Sequence, residues 1–127
     1  MESDKDLVLS SLHHTWILDL DGTLVKHNGY KLEGKDTFLE GAEKFLCSLP
    51  KEDMVILLTS RKSEYAQQTI EFLKQHYIRY DHIIFDVPYG ERIVLNDRKP
   101  SGLSTAVAVN PKRDKFWNGK IVIDEEL

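Results

Sequence analysis

Two aspartates two residues apart, Asp19 and Asp21, stand in the run Ile17-Leu18-Asp19-Leu20-Asp21-Gly22-Thr23-Leu24. The apolar residues leading into them read as a buried strand. The period-two alternation of a strand points both carboxylates to one side at its C-terminal end. Open α/β sheets bind ligands in the crevice beyond those ends, and two acids held there repel each other unless a cation or a shared proton compensates. A hard divalent metal with oxygen ligands is the natural compensator. Gly22 lets the backbone come close to a ligand, and the Thr23 hydroxyl can fix the turn.

Two more strand ends repeat the arrangement at even spacing. The run Val55-Ile56-Leu57-Leu58 ends in Thr59-Ser60-Arg61, and Ile93-Val94-Leu95 ends in Asn96-Asp97-Arg98-Lys99. Arg61, Lys62, Arg98 and Lys99 fall at the expected mouth, where cations can hold the anionic groups of a substrate. Between the first strand and the next element, Lys26-His27-Asn28-Gly29-Tyr30-Lys31 carries the Asn-Gly signal of a hairpin with positive φ at both central residues, so a small flap over the sheet edge is expected. His27 on that flap is a candidate for touching substrate.

The order D-x-D-G-T, then apolar strand plus Thr, then apolar strand plus Asn-Asp resembles the haloacid dehalogenase superfamily of phosphohydrolases, over roughly residues 15 to 110. The resemblance implies that Asp19 is the nucleophile that becomes an aspartyl phosphate, and that Asp21 is the acid that protonates the leaving oxygen and then activates water. It implies that Thr59 bonds the transferring phosphoryl oxygens, and that Asp97, helped by Asn96, holds Mg²⁺ with Asp19 and the main-chain carbonyl of Asp21. Gly22, Thr23, Ser60 and Arg61 are then the substrate-binding set. The superfamily's third motif, a Lys or Arg ahead of the last acids, has no lysine in Pro88-Tyr89-Gly90-Glu91; Lys99 is the expected substitute and Arg92 the runner-up. Phosphoryl transfer needs such a cation, because charge builds on the equatorial oxygens beside a carboxylate nucleophile.

These residues need a frame, and the hydrophobic pattern supplies a mainly parallel five-stranded α/β sandwich, Rossmann-like. Strands are expected at Trp16–Leu20, Met54–Leu58 (an unbroken apolar run, hence buried on both faces), His82–Phe85, Arg92–Leu95 and Thr105–Val109. Helices are expected over Gly41–Leu49, with Ala42, Phe45, Leu46 and Leu49 on one face, and from an N-capping Ser63 to about His76, with Ala66, Ile70, Leu73 and Tyr77 forming a stripe. Residues 1–14 read as a polar lead and 111–127 as an extension of one domain. Neither gap between motifs holds an inserted cap, so the site should be open, for a bulky substrate or for closure by a second copy in a homo-oligomer.

The chain has 127 residues with 17 Lys+Arg against 21 Asp+Glu, a net charge of −4 that argues against general nucleic-acid binding. No apolar run approaches a membrane span and the start is acidic, which points to a cytoplasmic protein. The single Cys47 excludes an internal disulfide and is expected as a small buried side chain. His13 and His14 lack the spacing of a metal pair. Lys112-Arg113-Asp114-Lys115 precedes Phe116-Trp117, a tail expected to pack on the body. The leading expectation is a Mg²⁺-dependent phosphatase of a small metabolite, a sugar or sugar-acid phosphate. A polynucleotide or nucleotide phosphatase is the alternative, and a non-catalytic phosphate- or metal-binding subunit the reading from another class.

Overall fold

The computed structural model describes residues 4–127. Strand β2 (Thr15–Asp19), β3 (Met54–Leu58) and β4 (His82–Ile84) form one parallel sheet in the order β2-β3-β4. Parallel neighbours require crossovers. Helix α2 (Ala42–Ser48) leads into β3, and a 3₁₀ turn at Ser63–Tyr65 running into helix α3 (Ala66–Gln75) leads into β4. Asp19 pairs with Leu58, and Leu58 with Ile84. Asp19 therefore leaves the sheet at the same edge as the Thr59-Ser60-Arg61 loop.

Leu20, Leu24, Val25, Ala42, Leu46, Leu49, Val55, Leu57, Leu73 and Ile78 make the core. Strand β3 is not equally buried on its two faces: Val55 and Leu57 are buried, Ile56 and Leu58 are partly covered, and Met54 is exposed. On α3 the inward face is Thr69, Phe72 and Leu73, while Ile70 is exposed and Tyr77, past the helix end in a left-handed turn, is more so. Ser63 does not cap the segment with its side chain; its N–H instead donates to Asp86 Oδ1 at 3.2 Å from the loop after β4.

The sheet departs from the five-stranded expectation. Arg92–Leu95 and Thr105–Val109 form no strand, and Ile93, Val94, Leu95, Val107 and Val109 are exposed. Neither segment pairs with β2 or β4, so their backbone groups find no ladder and apolar character alone does not make a strand. A second, two-stranded parallel sheet joins β1 (Leu7–Leu9) to β5 (Ile121–Ile123), in the stretches read as lead and extension. Residues 1–3 of that lead lie outside the described residues. The Asn28-Gly29 hairpin is also replaced. Asn28 alone takes a left-handed φ of 57°, and Gly29–Leu32 is a short helix, α1. The base of this flap is closed by an antiparallel bridge between Val25 and Phe38. Cys47 is exposed: it stands one residue past buried Leu46, on the outward side of α2.

Candidate functional site

Beyond the C-terminal ends of β2 and β3 lies a cleft of about 260 Å³ lined by Asp19, Asp21, Ser60 and Arg61 and walled by flap residues His27, Asn28, Tyr30 and Lys31. Tyr89, Gly90, Arg92 and Arg113 complete it. Asp19 is fixed on both oxygens: the Thr23 hydroxyl donates to Oδ2 at 3.0 Å and Arg92 Nη1 donates to Oδ1 at 3.0 Å. The turn needs glycine at 22, where φ is +80° and an added Cβ would stand 3.2 Å from Arg113 Cγ.

Arg61, expected in the substrate-binding set, is committed to partners within the protein. Its side chain is fully buried, and it makes five hydrogen bonds: Nε and Nη2 to the two oxygens of Asp21 at 2.9 Å each, Nη2 and Nη1 to the two oxygens of Asp36 at 2.6 and 3.0 Å, and Nη1 to Thr69 Oγ1 at 2.8 Å. Its guanidinium carbon stacks 3.9 Å from the centre of the Tyr30 ring. Burial alone would lower the Arg61 pKa, but the hydrogen bonds and charges of Asp21 and Asp36 outweigh burial and raise it, so the group stays charged. Burial, with the Asp21 charge beside it, pushes the Tyr30 phenol above its ordinary range, against the smaller pull of Lys31 and Arg61. One planar fork thus ties the second acid to the flap, through Asp36 and Tyr30, and to α3 through Thr69.

Thr59 is likewise inside the protein, and its hydroxyl accepts the Arg61 N–H at 3.1 Å, so it sets the Arg61 loop rather than lining the cleft. Asn96, Asp97 and Lys99 are not brought to the cleft. They are exposed on a loop that folds on itself: the Thr105 hydroxyl donates to the Asp97 carbonyl at 2.6 Å, and Lys99 N–H to the Leu103 carbonyl at 3.0 Å. Without a strand at Arg92–Leu95 nothing carries them to the sheet edge. The cation beside the first acid is Arg92, not Lys99. Among the described residues the buried His27 Nδ1 has no hydrogen-bond partner.

Phosphatases of the haloacid dehalogenase type generally use Mg²⁺. The expected ligand set, Asp19, Asp21, Asn96 and Asp97, does not fit that ion as the side chains stand. Mg²⁺ takes oxygen ligands in a near-octahedral array. Asn96 and Asp97 stand on a loop outside the cleft, Asp19 is shared between Thr23 and Arg92, and among the described residues no group of three or more His, Cys, Asp or Glu is placed to hold a metal.

At the opposite end of the sheet, Asp53 accepts the His14 N–H at 3.0 Å and Trp16 Nε1–H at 2.9 Å, with His13 and His14 rings within 4.0 Å. Burial would raise its pKa, but these bonds and ring charges outweigh it and hold the carboxyl below its ordinary value. The two histidines serve this acid. Among the described residues no helix is long and apolar enough to cross a membrane.

Sequence reasoning placed Arg92 only as runner-up to Lys99, and it missed Asp36 at Arg61 as well as Tyr89 and Arg113 in the wall. Only the basic run around Arg113 hinted at the missed residues. A chain in the structure of the Pnkp1/Rnl/Hen1 complex is 29% identical over 65% of this chain and 31% of that one, with a TM-score of 0.50. One in the structure of the Pnkp1/Rnl/Hen1 RNA repair complex is 28% identical over 72% of this chain and 30% of that one, with a TM-score of 0.51. The chain therefore spans about a third of the length of the structures it matches. A search of curated protein sequences found no match. A model of the NLI interacting factor-like phosphatases matches residues 14–89, from just before β2 to the edge of the cleft. That match takes in more than half of the chain and both acids of the cleft, and the protein belongs to the NLI interacting factor-like phosphatases, a family of the haloacid dehalogenase superfamily whose members are phosphoric monoester hydrolases.

Proposed function

We propose that the protein removes a terminal phosphate from a nucleotide or polynucleotide, with Asp19 as nucleophile and Asp21 as acid and base. The observation that carries this reading is the ion pair between Arg92 and Asp19 Oδ1 in a cleft with a second acid two residues on. A carboxylate nucleophile repels a phosphate dianion, and a guanidinium beside it offsets the repulsion and offers forked donors to the phosphoryl oxygens.

In the first step an Asp19 oxygen bonds to phosphorus, the bond to the ester oxygen breaks, and that oxygen takes a proton from the Asp21 carboxyl. In the second, water attacks phosphorus and gives its proton to Asp21, and the bond to Asp19 breaks, freeing phosphate and both aspartates. Thr23 holds Asp19 in line throughout. Asp21 is aimed by Arg61, and its proton must displace one guanidinium N–H from a carboxylate oxygen.

The choice of substrate class departs from the sugar phosphate expected of the sequence. Similarity to chains from a Pnkp1/Rnl/Hen1 RNA repair complex supports a nucleic acid end, as do the cations Lys31, Arg92 and Arg113 of the cleft. Among the described residues the flap with α1 is the only element between the D-x-D-G-T turn and α2, which leaves room for a polymer. The test is phosphate release, with Mg²⁺ in the buffer, from 3′- and 5′-phosphorylated nucleotides and oligonucleotides beside a sugar phosphate panel. Release from the nucleic acid substrates, lost in Asp19→Asn, is expected; a higher kcat/KM for sugar phosphates would overturn the reading.

A further inference from the structure

We infer that Lys31, Arg113 and Tyr89 form a subsite for the nucleotide adjoining the scissile phosphate of a single strand, the two cations holding its phosphate and the phenol ring its base. This rests on the polynucleotide reading above and adds the residues that would distinguish a strand from a small ester.

The charges of the cleft are unequally committed. Arg92 is paired with Asp19, and Arg61 with Asp21 and Asp36. Lys31 and Arg113 line the same cleft, yet among the described residues neither forms an ion pair. Two cations beyond those that balance the aspartates match one anionic group beyond the phosphate being cleaved. Both are held in place. Lys31 lies in the last turn of α1, its ammonium 5.7 Å and 5.8 Å from the ring centres of Tyr30 and Tyr65.

Arg113 lies against Gly22, and the segment that carries it is pinned to the catalytic turn. Asp114 N–H donates to the Gly22 carbonyl at 2.8 Å, and Asp114 Oδ1 accepts the His27 N–H at 2.7 Å. Asp114 takes a left-handed φ of 63° to do both, a conformation that costs free energy unless neighbouring bonds hold it. Phe116 and Trp117 do not contribute to the subsite; they pack on Phe45 at 5.2 and 6.1 Å between ring centres. Tyr89 is different, being 83% exposed while lining the cleft. An exposed aromatic face beside paired cations matches single-stranded recognition, because every base presents a π-face to stack on it.

The test compares a 3′-phosphorylated single-stranded oligoribonucleotide with p-nitrophenyl phosphate for the wild type, Lys31→Gln, Arg113→Gln, Tyr89→Ala and Tyr89→Phe. The ratio of kcat/KM on the oligonucleotide to that on p-nitrophenyl phosphate should fall about tenfold in the first three variants and be restored in Tyr89→Phe. For Lys31→Gln and Arg113→Gln, the slope of log kcat/KM for the oligonucleotide against log salt should flatten by about 0.7. An unchanged ratio, or equal losses on both substrates, would overturn the subsite while leaving the polynucleotide reading standing. Wild-type turnover of p-nitrophenyl phosphate with none of the oligonucleotide would overturn both.

Discussion

Replacing Arg61 by Ala should cost about 3–5 kcal/mol of folding stability, the range for removing one partner from a buried ion pair and leaving the other uncompensated. The figure follows from what is left behind. Asp36 has a side chain only 2% exposed and Asp21 one of 16%, and with Arg61 gone neither has another ion-pair partner among the described residues. Summing five hydrogen bonds at about 1–3 kcal/mol each would reach the whole stability of a domain this size, about 5–15 kcal/mol, so additivity fails here because all five share one guanidinium. Urea unfolding followed by tryptophan fluorescence is the assay. Trp16 and Trp117 report on different parts of the body, one bonded to Asp53 and the other to the Lys5 carbonyl. The midpoint should drop with the m-value unchanged. Adding Asp36→Asn to Arg61→Ala should recover about 1–3 kcal/mol by discharging the stranded acid. A loss below about 1 kcal/mol, or no recovery in the double variant, would refute the account of Arg61 as the tie between the flap and Asp21.

Three further outcomes are expected. Arg92→Ala should lower kcat by about 10²–10³, as for loss of one electrostatic donor at a reacting group, whereas Lys99→Ala should turn over at the wild-type rate; the reverse pattern would return the catalytic charge to the loop after Asp97. Asp53→Asn should cost about 1–3 kcal/mol at pH 7, measured by thermal melts across pH. Because the folded carboxyl titrates below its unfolded value of about 4, the difference between wild type and variant should be full above pH 4 and shrink as pH falls through the folded pKa; a gap that persists undiminished in acid would contradict this. Leu57→Ala, at a side chain with no solvent exposure, should cost about 2–5 kcal/mol in the same urea assay, and a cost below 1 kcal/mol would mean that β3 is not central to the core.

The parts of the fold legible in the sequence are those where local pattern and burial coincide. Met54–Leu58 is a strand over the residues its apolar run marks, and Ala42, Leu46 and Leu49 face inward as their helical spacing requires. The D-x-D-G-T turn was legible because Gly22 and Thr23 act within a few residues of Asp19. What was not legible depends on partners far along the chain. Arg61 reads as a substrate-binding cation at the mouth of the site until Asp36 and Tyr30 are folded over it, 25 and more residues earlier. Arg92–Leu95 and Thr105–Val109 have strand composition, but pairing decides a strand and they find none. The reverse holds at the ends: Ile121-Val122-Ile123 is a β-branched run long enough to notice, yet its partner Leu7–Leu9 lies 114 positions away.

The seam between Asp114 and the Gly22 turn bears on where this enzyme can be cut. A fragment trimmed to residues 14–89, the span that carries the family signature, would retain Asp19, Asp21 and Arg61 and would look complete by motif. It would lack the Arg92 guanidinium at Asp19, the Asp114 clasp across the glycine turn and both strands of the β1–β5 sheet. Laboratory expression of such a minimal piece would thus yield Asp19 without its cationic neighbour, and silence in an activity screen of that piece would say nothing about the parent chain.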